Sequence, residues 1–229
     1  MINIPNEIKR IIELFNSFDH EVYLVGGYVR DSLLGKETYD IDMTTSATPS
    51  VVKEILKEYE LDDKYSNYGC IKFKLNEYNI EITTFRREYD YKKHRRPSKI
   101  EFITDLKEDL KRRDFTINAL CYDGNSLIDV FNGLEDLNNK VIRTIGNPLI
   151  RFEEDALRML RALRFSSQLG FKLDNSVTEA INKKCHLIKE LNKSVIEKEL
   201  NNIINGEYYY NLLNNYKEIL VNIFGERSR

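Results

Sequence analysis

The stretch from residue 22 to residue 45 constrains the fold more than any other. A four-residue apolar run, Val22 to Val25, meets the pair Gly26-Gly27, then the segment YVRDSLL closed by Gly35, then a second apolar run that begins Asp40-Ile41-Asp42. The pattern predicts a strand, a turn, a helix over residues 28–34 and a second strand over residues 40–45. Side chains two apart on a strand share a face, so Asp40 and Asp42 point one way while Ile41 and Met43 enter the core. Two adjacent carboxylates repel, a cation between them relieves the repulsion, and hard oxygen ligands favour Mg²⁺. The glycines let backbone approach a polyphosphate, free N–H groups at the helix start favour negative charge, and Arg30 adds a fork of donors for phosphate oxygens. Gly-Gly alone is an ordinary strand-to-helix turn, and Asp-x-Asp alone is a solvated strand edge. At this spacing the two together point to nucleotidyl transfer.

The rest of the chain is read around that segment. Residues 6–18 place Ile8, Ile11, Ile12 and Phe15 at helical spacing. Thr48-Pro49 reads as an N-cap followed by proline at the first helical position, with Val51, Val52, Ile55 and Leu56 as the apolar face. Residues 70–75 and 79–85 read as a hairpin about Asn76-Glu77-Tyr78. Ile80 and Ile82 face one side of it, so Glu81 faces the other, a candidate third carboxylate or a plain surface glutamate. Residues 86–98, RREYDYKKHRRPS, have no apolar period and read as a basic loop ended by Pro97. Thr104 is placed to cap a helix from Asp105 to about Asp114. Residues 127–131 are a short strand before the Asn132-Gly133 turn, and residues 141–145 the last strand of the first domain. After Pro148 everything reads as helix: residues 151–168, 176–188, 193–205 and 208–224. The expected class is therefore α+β, with a mixed or antiparallel sheet and flanking helices over residues 1–148 and an all-helical region over residues 149–229.

Four strings in order, GGYVRDSLLG with DID, EITTFR, RRDFTINAL and EDALRMLRALRF, resemble the class II CCA-adding enzymes, the tRNA nucleotidyltransferase and poly(A) polymerase family of the DNA polymerase beta superfamily. The resemblance runs from about residue 22 to residue 200. It implies a nucleotidyltransferase head followed by a helical neck, with CTP, ATP and the tRNA 3′ end as partners and two Mg²⁺ ions on Asp40 and Asp42, Glu81 nearby. Gly26, Gly27 and Arg30 would hold phosphates, and Arg112 would contact the nucleotide. The motif EDALR implies a protein-templated reader on one helix face. Asp155 presents an acceptor beside the forked donor of Arg158, which matches the amino donor and ring-nitrogen acceptor shared by cytosine and adenine. Uracil and guanine offer the reverse order. Arg161 and Arg164 would hold the triphosphate or position Asp155. A surface pairing of Glu154 with Arg158 is the plainer alternative for the same helix face.

In that family residues 86–98 correspond to a mobile loop that helps the switch from adding C to adding A. Its undiminished length argues against a CC-only enzyme, and Lys93 stands where an acidic residue is frequent. Family members also continue into further helical domains that grip tRNA, so the chain is expected to end short of them. A poly(A) polymerase, a partial CC- or A-adding enzyme, and a non-catalytic RNA-binding module remain the competing readings.

Composition limits the choices further. A net charge of −2 advertises no global nucleic-acid affinity, so RNA contacts are expected in local patches, residues 92–96 and 107–113. Cys70, Cys121 and Cys185 form no Cys-x-x-Cys, which disfavours zinc and suits a reducing compartment. No apolar run reaches a membrane span and the first ten residues lack a signal-peptide core, so a cytoplasmic protein, monomeric or homodimeric, is expected.

Overall fold

The computed structural model describes residues 2–225. The elements are α1 Asn6–Ser17, β1 Val22–Val25, α2 Gly27–Leu33, β2 Asp40–Thr45, α3 Pro49–Ile55, β3 Leu61–Asp62, β4 Cys70–Leu75, β5 Tyr78–Thr84, β6 Arg86–Lys92 and β7 Arg96–Phe102. They continue with α4 Leu106–Lys111, β8 Cys121–Tyr122, β9 Leu127–Ile128, α5 Gly133–Asn138, β10 Val141–Ile142, α6 Pro148–Glu154, α7 Leu157–Leu169, β11 Lys172–Leu173, α8 Asn175–Lys184, α9 Lys193–Ile204 and α10 Tyr209–Phe224. The described residues pack as two compact units that interleave along the chain. The first unit takes residues 2–88, 100–113 and 117–134, and the second takes 89–99, 114–116 and 135–225.

The first unit is built on a seven-stranded mixed sheet in the order β3-β4-β5-β2-β1-β8-β9. Its pairings are antiparallel except β2 with β5, which run parallel from Asp40 opposite Asn79 to Thr45 opposite Thr84. A parallel pair needs a long crossover, and α3, β3 and β4 supply it. Strand β2 alternates as the sequence requires: Ile41 and Met43 are fully buried while Asp40 and Asp42 reach solvent. Helix α1 packs on β1 through Ile8, Ile11, Ile12 and Phe15. A two-residue turn, Asn76-Glu77, closes the β4–β5 hairpin with Asn76 in the left-handed region.

One of the two expected helix caps in this unit fails. Asp105, not Thr104, caps α4, its carboxylate accepting the Glu108 N–H at 3.1 Å. At the start of α3, Thr48 stands at the N-cap with Pro49 at the first helical position, as expected, while its hydroxyl meets Ser50 Oγ at 3.0 Å rather than a backbone N–H.

The expected basic loop is a β-hairpin instead. Strands β6 and β7 form their own two-stranded ribbon, turned through Lys93 and His94 at positive φ. No apolar period marks it because its half-buried positions are filled by arginine, glutamate and tyrosine. Charged side chains two apart on one face, Arg86 and Glu88, pair at 2.6 Å where apolar residues would normally pack. Pro97 lies inside β7, which a two-stranded ribbon tolerates on its outer edge.

The second unit is helical around α7, whose Ala156-to-Ser167 stripe is buried. Helices α9 and α10 pack on α7, and α6 packs on α8. Gly206 sits against α7 so closely that a Cβ there would lie 2.6 Å from the Ser167 carbonyl oxygen. Strand β10 lies within residues 141–145, expected as the last strand of the first domain, and instead pairs in parallel with β11 in the second unit. The segment expected as one helix over residues 151–168 is two, because Asp155 leaves helical geometry at φ −137° and ψ 98°. No glycine or proline announces that break. Asp155 makes it by turning its carboxylate onto the Leu157 N–H at 3.0 Å, a cap for the next helix.

Candidate active site

In the first unit, β2 and β5 bring three acids together. The parallel register sets Asp42 opposite Glu81 and Asp40 opposite Asn79, whose amide donates to Asp40 Oδ1 at 2.9 Å. Lys72 stands across from Glu81 on β4 and pairs with it at 2.6 Å. A groove of about 1070 Å³ is lined by Asp40, Asp42, Lys72, Lys74 and Glu81 among others. The carboxyl of Asp42 is pushed up to about 6, first by protein crowding around it and next by the Glu81 charge, with Asp40 adding and Arg113 opposing. Burial is the main cause, and the charges of Glu81 and Asp40 outweigh the opposing pull of Arg113 and Lys72. Among the described residues no group of three His, Cys, Asp or Glu side chains is arranged to hold a metal ion. The acidic centre is thus the pair Asp40 and Asp42, with Glu81 beside it but held by Lys72.

The glycine pair is built as its sequence implies. Gly26 takes φ +73°, a conformation L side chains resist, and precedes α2. A Cβ on it would lie 3.3 Å from Asp42 Oδ2 and 3.8 Å from Arg113 Nη1, so turn, carboxylate and guanidinium converge. Arg30 is buried, and its fork grips its own neighbourhood: Nε and Nη2 donate to Asp31 at 2.9 and 2.8 Å, and Nη1 to Asn118 Oδ1 at 2.7 Å. The fork expected for phosphate therefore braces α2 against residue 118. Arg112 pairs with Asp109 at 2.8 Å and lies 3.5 Å from Glu88. The arginine whose charge reaches Asp42 is its neighbour Arg113, whose spacing of four from Asp109 was the available signal.

In the second unit, Asp155 and Arg158 are both buried, although not on one continuous helix face. Asp155 Oδ2 accepts from Arg95 Nη1 at 3.0 Å, and the neighbouring backbone is held by the Ala156 N–H donating to the His94 carbonyl at 2.8 Å. Burial pushes the Asp155 carboxyl up, against the pull of Arg95 and Arg158. Arg158 Nη1 donates to the Arg151 carbonyl and to Glu154 Oε2, each at 2.9 Å, and its guanidinium lies over the Tyr91 ring. The Glu154–Arg158 pair is present, but beneath the surface on the arginine side. Arg161 pairs with Asp114 and Arg164 with Glu199 at 2.9 Å, so both are engaged inside this unit. The partners Arg95 and Tyr91 escaped sequence reasoning because their segment carried no strand signal.

Comparison with known proteins gives a consistent result. The family model described as the poly A polymerase head domain matches residues 22–143. The CCA-adding enzyme of Ligilactobacillus salivarius is 47% identical over 193 residues, covering 82% of this chain and 47% of that protein. The Bacillus stearothermophilus CCA-adding enzyme, solved in complex with CTP, is 32% identical with a TM-score of 0.82, over 95% of this chain and 52% of that one. A tRNA nucleotidyltransferase solved with a primer tRNA and an incoming ATP analogue is 32% identical with a TM-score of 0.78, over 93% of this chain and 62% of that one. The chain spans about half the length of the curated relatives it matches.

Proposed function

This chain belongs to the poly A polymerase head-domain family, and from that premise we propose that it is a tRNA nucleotidyltransferase, adding C, C and A to tRNA 3′ ends from CTP and ATP. The observation that carries the reading is the carboxylate face: Asp40 and Asp42 side by side, Glu81 opposite, and Asp42 raised to about 6 by crowding. That oxygen-rich, charge-poor donor set fits Mg²⁺, which takes one or two carboxylates and completes its shell with substrate phosphates and water. Asp40 and Asp42 would hold the ions. When bound, divalent cations lower the pKa of an attacking hydroxyl and neutralise a leaving pyrophosphate.

The chain's own residues do the remainder. Gly26 and Gly27 leave backbone open beside Asp42 for the triphosphate, with Arg113 at the same point. Arg30 and Arg112 support the phosphate side through α2 and α4. Base choice falls to Asp155 and Arg158. A cytosine or adenine amino group would take the place that Arg95 holds at Asp155 Oδ2, and uracil or guanine would set an acceptor against that carboxylate. Buried polar groups left unpaired by the wrong base supply the discrimination. Arg161 and Arg164 stiffen this region through Asp114 and Glu199. In this proposal residues 1–148 carry the catalysis and residues 149–229 the base choice. No helix among the described residues is long and apolar enough to cross a membrane, and work on tRNA places the proposed activity in the cytoplasm.

The test is to supply the purified chain with tRNA lacking its CCA end, Mg²⁺ and all four nucleoside triphosphates, and to sequence the 3′ ends. CCA ends are expected. A tails, or CC alone, would assign the poly(A) or partial specificity, and no extension with CTP and ATP still bound would leave a nucleotide-binding module. Failure to bind either nucleotide overturns the enzymatic reading.

A further inference from the structure

Asp109 is fully buried and enters the reading above only as the partner of Arg112. Four donors converge on it within the first unit. Arg112 Nε and the Arg86 backbone N–H donate to Oδ1 at 2.8 and 3.1 Å, the Thr44 hydroxyl is shared between Oδ2 and the Thr83 carbonyl at 3.1 Å each, and Arg113 Nη2 lies 3.6 Å from Oδ2. The arginines keep its carboxyl below the usual range despite burial. Thr44 is two residues beyond Asp42 on β2, so Asp40, Asp42 and Thr44 share one face, and Asp109 is docked at the inner end of that acidic row. Arg113 therefore stands between two carboxylates: Asp109 inside, and Asp42 outside, where its Nη1 would lie 3.8 Å from a Gly26 Cβ that is 3.3 Å from Asp42 Oδ2.

We propose that Asp109 is a positioning residue that anchors the Arg113 guanidinium on the inner side, so that Asp42 stays open to a divalent cation. The inference rests on the cation site proposed above. An arginine is a permanent charge with a long reach, and beside an acidic pair its default is to neutralise that pair itself. The buried carboxylate prevents this by giving Arg113 a second, better-desolvated partner. Removing the Asp109 charge turns Arg113 outward onto Asp42, where it competes with the metal. Asp109 touches no reacting atom, and its effect on the cation is assigned to Arg113 rather than to its other partners Arg112, Arg86 and Thr44.

The test is Mn²⁺ binding to the purified chain, followed by loss of the free-ion paramagnetic resonance signal. It compares the unaltered chain, Asp109→Asn, Arg113→Gln and the double variant, each checked for folding by thermal melt. Asp109→Asn is expected to weaken binding about tenfold, Arg113→Gln not to weaken it, and the double variant to match Arg113→Gln. Unchanged affinity in Asp109→Asn, or the same loss in both backgrounds, overturns the inference, because a merely structural carboxylate acts whether or not Arg113 is present. If Asp109→Asn does not fold, Thr44→Val takes its place. It removes one neutral donor from Oδ2 and is expected to cost about two- to threefold, a loss that vanishes with Arg113→Gln; no loss overturns the inference. The readout does not depend on catalysis. A chain that binds Mn²⁺ in this pattern yet leaves tRNA unextended defeats the functional proposal and leaves this one standing. If the unaltered chain binds no Mn²⁺, the cation site falls and this inference with it.

Discussion

The carboxylate face and the region of Asp155 and Arg158 are built in opposite ways. Asp40 and Asp42 lie on a strand with open tips, short of positive charge and crowded by Glu81. Asp155 and Arg158 lie where a helix breaks, both buried and both already bonded to protein. The first arrangement stores repulsion that a cation relieves. The second stores hydrogen-bond partners that, in the proposed function, a base would have to match. In the proposed function, chemistry that needs an ion would lie on a regular element whose side-chain direction is fixed, and chemistry that needs discrimination at an irregularity where desolvation is deep.

The largest test of that contrast is Asp42→Asn. Nucleotide incorporation is expected to fall by about three orders of magnitude or more, while the melting temperature holds or rises, because a crowded like charge has been removed. An incorporation assay paired with a thermal melt checks both. A large loss of stability would mean that the face is structural.

Asp155→Asn should act on choice rather than on turnover of every nucleotide. The kcat/KM preference for CTP over UTP is expected to shrink by roughly 1–3 kcal/mol, the usual worth of a bidentate base contact, in single-nucleotide incorporation. An unchanged preference would separate this region from base selection.

The pH response follows from the raised Asp42 carboxyl, at about 6 in the folded chain against 3.8 ordinarily. A carboxyl raised by folding contributes stability below its unfolded value, and that contribution is lost as pH rises through the folded value. Without divalent cations the melting temperature should therefore gain from acidification between about pH 7 and 4, and Asp42→Asn should lose that part of the gain. Mg²⁺ affinity should move the other way, falling below about pH 6 as the carboxylate protonates. Melts and metal titrations across pH measure the two slopes.

The smallest effect separates a surface pairing from a built site. Glu154→Gln removes the carboxylate that Arg158 and Arg151 share across the helix break at Asp155, a pairing partly exposed on the glutamate side and worth about 0.2–1 kcal/mol. A stability loss within that range, with base preference intact, would mark Glu154 as support only.

Much of the first region was legible in the sequence because a period of two fixes direction. Strands at residues 22–25, 40–45 and 70–75 fall where the pattern places them, and Ile41 and Met43 point inward as read. Register was not legible: nothing local states that β2 runs parallel to β5, or that Lys72 reaches Glu81. The second region hid more. Asp155 breaks a helix whose apolar spacing continues across the break, and only a backbone N–H two residues on explains it. The β6–β7 ribbon escaped because ion pairs fill its alternating positions, and apolar periodicity cannot see them. Arg30 misled for a related reason: a fork suited to phosphate suits Asp31 and Asn118 equally well.

The parallel pairing of β2 with β5 carries one more consequence, for the order in which the chain folds. Its partners, such as Asp40 and Asn79, are 39 residues apart, whereas β4 and β5 are joined by a two-residue turn. Closing the long loop is entropically slower than zipping the hairpin, so β4 and β5 are expected to form together and dock on β2 afterwards. Lys72 is already opposite Glu81 when that hairpin zips, and Asp42 meets the glutamate only on docking. The crowded acids thus arise at a late step, after most of the local structure is made, and the newborn chain carries the glutamate with its counter-charge before it carries the repulsion.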